Sequence, residues 1–258
     1  MDRGLLYGHT VFETVAVVNS KPRLLNEHFD RLVQGAIRLS IPLDREVLES
    51  EFKEFCASTG DACIRITLSI GEGGRGYNSP QEPQPLRILS EHEYPKSLKK
   101  YRQFGVNLGV SELRMGHQPL LAGIKHGNRL EQILARKHWL PEWQEALLLD
   151  QQELVIEANS ANVFIAKDDR LYTPSLEQCG VAGVMRAHIM TLASQLGIET
   201  KAVSLSLDQL LGADEVFLCN SLIGIWPVVS CQNKHFNSTR IAHTLLEKLI
   251  LDEVIPHH

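Results

Sequence analysis

Lys125 lies in the segment Gly123-Ile124-Lys125-His126-Gly127-Asn128-Arg129-Leu130-Glu131-Gln132, between an apolar neighbour and a polar helix start. Its amine can condense with a carbonyl, although one lysine in a short apolar context is more often a surface residue. Two other segments offer what such an amine would need around it. Glu157 ends the apolar run Leu154-Val155-Ile156 and leads into Ala158-Asn159-Ser160-Ala161-Asn162-Val163-Phe164, so its carboxylate can sit between strands; read locally it is also an ordinary hairpin charge. Gly180-Val181-Ala182-Gly183-Val184-Met185-Arg186 opens a helix, whose free N–H groups can bind phosphate; a plain glycine turn is the simpler alternative. An amine for an imine, an acid for a pyridine nitrogen and an N–H cup for a phosphate together match pyridoxal 5'-phosphate (PLP).

The elements that must position these groups follow from periodicity. Val11 to Val18 reads as a strand with a turn at Asn19-Ser20. Asn26 is placed to cap a helix with Phe29, Leu32, Val33, Ala36 and Ile37 on one stripe and Arg31 off it. A helix over 44–57 turns Val47, Leu48, Phe52 and Phe55 inward. Ile64, Ile66, Leu68 and Ile70 alternate with Arg65, Thr67 and Ser69, a half-buried strand. It runs into Gly71-Glu72-Gly73-Gly74-Arg75-Gly76, which matches GxGxxG but is followed by Tyr77-Asn78-Ser79-Pro80 where a dinucleotide site needs a helix.

Strands at 86–90 and 106–110 complete a small N-terminal α/β domain over 1–110, with a connector over 111–121. The remaining 122–258 reads as a helix over 128–139, strands at 145–150, 153–157, 162–166 and 170–173, helices at 184–196 and 239–251, and a strand at 215–219 between them. Successive hairpins there predict an antiparallel, barrel-like sheet, and the whole is α+β.

With 26 basic and 31 acidic residues and neither sign in blocks, a nucleic-acid partner is not expected. No apolar run approaches the about 18 residues of a membrane span, which predicts a cytoplasmic protein without a membrane partner. Five cysteines without CxxC spacing predict buried free thiols, with no zinc or other metal site.

Five segments in order carry a resemblance: Tyr7-Gly8-His9-Thr10-Val11-Phe12-Glu13-Thr14, Glu27-His28-Phe29-Asp30-Arg31-Leu32, the lysine segment, Glu157 to Phe164, and Gly183 to Arg186. They resemble the class IV aminotransferase family, which implies the two-domain PLP fold type IV with a small N-terminal α/β domain and a larger C-terminal pseudo-barrel. The resemblance implies that Lys125 anchors PLP as a Schiff base, Glu157 pairs with the pyridine nitrogen and Arg31 contacts the phosphate. Val184 and Met185 would add backbone N–H groups, and Ser221 a hydroxyl. It also implies a homodimer acting on a small-molecule substrate.

Within the family, Gly73 to Tyr77, Leu121 to His126 and Asn128 to Gln132 resemble the members that cleave 4-amino-4-deoxychorismate to 4-aminobenzoate and pyruvate. Transaminases acting on D- or branched-chain amino acids, and a non-catalytic PLP-binding protein, are the alternatives. Arg75 and Arg114 are candidate carboxylate binders because guanidinium forks match carboxylates, and Phe12 is a candidate substrate contact. Three departures from the family pattern concern specificity. The motif offset starts the chain about 15 residues inside typical members, so their first strand is expected to be absent. Ile70 stands where an arginine is common, and Gly127 where a larger apolar residue is common.

Overall fold

The computed structural model describes residues 1–95 and 97–255. Packing divides the chain into two units, Met1–Tyr94 with Ile124–Arg129, and Pro95–Gly123 with Leu130–His258. This differs from the expected boundary at 110. The strand that begins at Val106 belongs to the second unit because its ladder partners lie there, and the lysine segment returns to the first.

The first unit contains α1 (Arg3–Tyr7), β1 (Thr10–Val18), β2 (Lys21–Pro22), α2 (Leu25–Arg38), α3 (Arg45–Ala57), β3 (Ala62–Ser69) and β4 (Leu86–His92). Its sheet has the order β2-β1-β3-β4 and is antiparallel throughout. Alternation sends Val11, Val15 and Val17 of β1 and Ile64, Ile66 and Leu68 of β3 to one face, where they pack with Phe29, Leu32 and Ala36 of α2 and Leu48 and Phe52 of α3. Each of these Val, Ile, Leu and Phe side chains fully removed from water contributes about 1.5–3 kcal/mol. The turn at Asn19-Ser20 is present, with φ of 51° and 59°.

Two helix details depart from expectation. Asn26 lies inside α2, which starts at Leu25 behind a left-handed Leu24, because β2 turns the chain round early. Ile37 and Val47 are 64% and 41% exposed; the buried stripe of α3 is Leu48, Phe52 and Cys56, spaced by four.

The second unit contains α4 (Leu98–Phe104), β5 (Val106–Met115), α5 (Leu130–Lys137), β6 (Glu145–Asp150), β7 (Leu154–Ala158), β8 (Asn162–Lys167), β9 (Arg170–Pro174), α6 (Val184–Gln195), β10 (Thr200–Val203), β11 (Leu205–Ser206), α7 (Leu207–Leu211), β12 (Glu215–Asn220), β13 (Gly224–Cys231), β14 (Lys234–His235) and α8 (Arg240–Leu251). Ten strands form a barrel-like sheet in the order β10-β9-β8-β12-β13-β5-β6-β7-β11, with β14 paired to β13. The sheet is mixed rather than antiparallel: β13 with β5, β5 with β6, and β9 with β10 are parallel pairs. Arg114 and Met115, expected in a connector, finish β5 because a register shift after Val110 lets the strand continue along β6. All five cysteines are free and buried.

Candidate active site

In the first unit the lysine segment runs beside β1. The Phe12 N–H donates to the Lys125 carbonyl at 2.9 Å, and the Gly127 N–H to the Thr10 carbonyl at 2.9 Å. A Cβ at Gly127 would lie 2.0 Å from Thr10 Oγ1, so this close approach explains the glycine at that position. Arg129 fixes the backbone on both sides of the lysine: its Nε donates to the His126 carbonyl at 2.8 Å and its Nη2 to the Ile124 carbonyl at 3.2 Å. Lys125 Nζ stands 4.5 Å from the centre of the Phe12 ring, and Arg65 Cζ stands 3.8 Å from the same ring. Burial, reinforced by the Arg129 charge, pulls His126 down to about 4, so its ring is neutral at neutral pH.

Glu13 points to the opposite, helix-covered face of β1. It is fully buried and receives Arg31 in a two-pronged contact, Nε to Oε1 at 2.7 Å and Nη2 to Oε2 at 2.6 Å, while His28 Nδ1 lies 2.6 Å from Oε2. Burial alone would raise its pKa; the charge and hydrogen bonds of Arg31, then those of His28, outweigh it and hold the carboxyl at about 2. Arg31 is therefore oriented by a permanent carboxylate. The glycine loop that carries the exposed Arg75 is anchored by buried Arg3, whose Nη1 donates to the Gly76 carbonyl at 2.9 Å and the Gly74 carbonyl at 3.3 Å.

In the second unit Glu157 is 4% exposed on β7, and its Oε2 accepts the Val181 N–H at 2.8 Å. Gly180 has φ +87°, and a Cβ there would come within 2.7 Å of Ile156 Cγ2, so glycine lets the loop pass beside the carboxylate. The same loop is laced to Gly123, two residues before Lys125: the Gly123 N–H donates to the Gly180 carbonyl at 2.9 Å and the Ala182 N–H to the Gly123 carbonyl at 3.1 Å. Helix α6 then begins at Val184 behind Gly183, and no side chain caps it. A Cβ at Gly183 would lie 1.9 Å from Asn162 Oδ1, whose amide nitrogen donates to the Val181 carbonyl at 2.9 Å. The first N–H groups of α6, from Val184 and Met185, are thus left without a side-chain cap at a positive helix end. Ser221 occupies the turn after β12, where Asn220 Oδ1 accepts the Leu222 and Ile223 N–H groups at 2.9 Å each.

The structure therefore brings Lys125 together with Phe12 in one unit, and Glu157 with the loop leading to Val184 and Met185 in the other. Arg114 has its fork filled by Glu153 at 2.7 Å on both nitrogens, so its guanidinium is engaged by a carboxylate of its own chain. Arg129, Glu13, Arg3 and Asn162 escaped sequence reasoning as positioning residues, since their partners are backbone carbonyls or distant side chains. An amine against an aromatic face, a buried carboxylate held by an N–H, and an uncapped helix start are the donor types that the aldehyde, ring nitrogen and phosphate of PLP require. Among the described residues no helix is long and apolar enough to cross a membrane, and no cluster of His, Cys, Asp or Glu could hold a metal.

Residues 10–231 match the family model for amino-transferase class IV, and the chain belongs to that family. Among its relatives, the chain is 37% identical over 230 residues to the aminodeoxychorismate lyase of Vibrio harveyi, covering 88% of this chain and 84% of the relative. It is 44% identical to the crystal structure of 4-amino-4-deoxychorismate lyase from Pseudomonas aeruginosa, with a TM-score of 0.95 and coverage of 97% and 93%. The branched-chain amino acid aminotransferase of Escherichia coli is 26% identical, with a TM-score of 0.85 and coverage of 97% and 87%.

Proposed function

We propose that this chain is a PLP-dependent lyase that converts 4-amino-4-deoxychorismate to 4-aminobenzoate and pyruvate. The observation that carries the reading is the 44% identity to the Pseudomonas aeruginosa lyase along 97% of the chain, against 26% to the Escherichia coli transaminase. With PLP bound, Lys125 would anchor its aldehyde, Glu157 would hold its pyridine nitrogen protonated, and Arg31, Ser221 and the N–H groups of Val184 and Met185 would bind its phosphate. When bound, PLP supplies a protonated ring that accepts the electron pair left by a departing proton.

Once released, the Lys125 amine would accept the proton from the amino-bearing carbon of the substrate. With the Ile124 and His126 carbonyls held by Arg129, only the lysine side chain has to move, which keeps the base within reach. Loss of the enolpyruvyl group, which leaves as pyruvate, makes the ring aromatic and drives the reaction without added water. Phe12 supports the face on which Lys125 works, and Arg75 offers a guanidinium to a substrate carboxylate. A homodimer in the cytoplasm completes the proposal.

The second reading is amino transfer, favoured by the D-alanine aminotransferase of Listeria monocytogenes at 28% identity over 93% of the chain. A paired assay separates the two. The PLP-loaded protein should release pyruvate from aminodeoxychorismate and form no glutamate from D-alanine or L-leucine with 2-oxoglutarate. Glutamate formation without pyruvate release from aminodeoxychorismate would replace the lyase with a transaminase.

A further inference from the structure

Glu145, the first residue of β6, is a buried carboxyl that the chemistry above does not use. It is 4% exposed, and burial pushes it up to about 7 despite hydrogen bonds from Ser160 and the charge of Arg136. Burying such a group is expensive unless it is hydrogen-bonded. Its partners are specific: the Ser160 hydroxyl donates to Oε1, and the Ser160 N–H donates to Oε2 at 3.3 Å. Ser160 lies in the turn directly after the strand of Glu157, and its carbonyl accepts the Asn220 side-chain N–H at 3.0 Å. Asn220 in turn gathers the Leu222 and Ile223 N–H groups onto its Oδ1, which folds the backbone around Ser221. Buried Arg102 props the far side of that turn, its Nε donating to the Ile223 carbonyl at 2.9 Å and its Nη2 to the Leu222 carbonyl at 3.3 Å.

We infer that Glu145 is a positioning residue for phosphate recognition: its carboxyl fixes Ser160, Ser160 fixes Asn220, and Asn220 shapes the turn that presents Ser221. The inference rests on the PLP reading and adds to it a residue that touches neither cofactor nor substrate. The relay predicts a defect specific to the phosphate. A general loss of packing would weaken binding of any pyridoxal derivative equally.

PLP and pyridoxal, which lacks the phosphate, are titrated separately into wild type, Glu145→Ala, Glu145→Gln and Asn220→Ala, following the visible absorption of the bound aldehyde, with a thermal melt of each protein. Loss of one link of a hydrogen-bonded relay should raise the Kd for PLP about tenfold in Glu145→Ala and Asn220→Ala and leave the Kd for pyridoxal within about twofold. Glu145→Gln, which keeps an acceptor for the Ser160 hydroxyl, should restore PLP binding to within about twofold of wild type. Equal weakening toward both ligands, or no weakening toward either, overturns the inference; if Glu145→Ala does not fold, Ser160→Ala, which removes the hydroxyl that Glu145 holds, takes its place with the same expected shifts. A wild type that takes up neither ligand defeats the cofactor reading itself, an outcome distinct from variants that bind both ligands like wild type.

Discussion

Two glutamates, Glu13 on β1 of the first unit and Glu145 on β6 of the second, are almost equally buried and behave in opposite ways. Glu13 meets a guanidinium fork and an imidazole and is held at about 2; Glu145 meets a hydroxyl and backbone groups, with Arg136 acting only through its charge, and is pushed up to about 7. The lesson is that burial does not decide ionisation; the partner does. A cation within hydrogen-bonding distance keeps the carboxylate charged, so Glu13 can orient Arg31. A neutral partner lets the proton stay, so Glu145 works as a hydrogen-bonding clip.

The largest effect that would break this comparison comes from Glu13→Gln, which leaves Arg31 beside a neutral group. Removing one partner of a buried pair costs about 3–5 kcal/mol, so the variant should unfold at markedly lower urea than wild type at pH 7. A loss under about 1 kcal/mol would mean that the pair does not hold α2 to β1.

Acid and base arms come next. Glu13 has a folded value below the ordinary 4.5, so its stabilisation is complete above about pH 4.5 and is lost as pH falls through about 2. Glu145 has a folded value above the ordinary 4.5, so its contribution is present below about pH 4.5 and is lost as pH rises through about 7. Each arm is worth roughly 3 kcal/mol. Urea unfolding from pH 3 to 8 should therefore lose its acid arm in Glu13→Gln and its neutral arm in Glu145→Gln. An unchanged wild-type profile in either variant removes that glutamate from the account.

The smallest effect is expected at pH 4 for Glu145→Gln, within about 1 kcal/mol of wild type because a neutral hydrogen-bonding group replaces a neutral one. The gap should open in the variant's favour as the pH approaches 7. A constant gap across that range would show that Glu145 titrates like an exposed carboxyl.

What could be read from the chain depended on the range of the interaction. Alternation in Ile64 to Ile70 marked β3, and β6 to β9 emerged within a residue or two of expectation, because a two-residue period and short polar turns are local signals. The Gly183 helix start was legible for the same reason. The parallel pairing of β5 with β6 and β13 was not, since it joins segments far apart in sequence and sends Arg114 into a strand. Arg114 shows the limit for the site: its type suited a carboxylate, but the carboxylate it meets is Glu153, 39 residues away. Lys125 and Glu157 were nominated from their local segments and given roles by the resemblance to the family, whereas Arg129 was not nominated, because its partners are carbonyls that every residue possesses.

The central claim is that Lys125 anchors the cofactor. Borohydride reduction of the PLP-loaded protein, followed by digestion and mass spectrometry, tests it most directly. A reduced pyridoxyl phosphate is expected on the peptide containing Lys125 and none in Lys125→Ala; a label on a different lysine, or no label on any, would rule out Lys125 as the anchor.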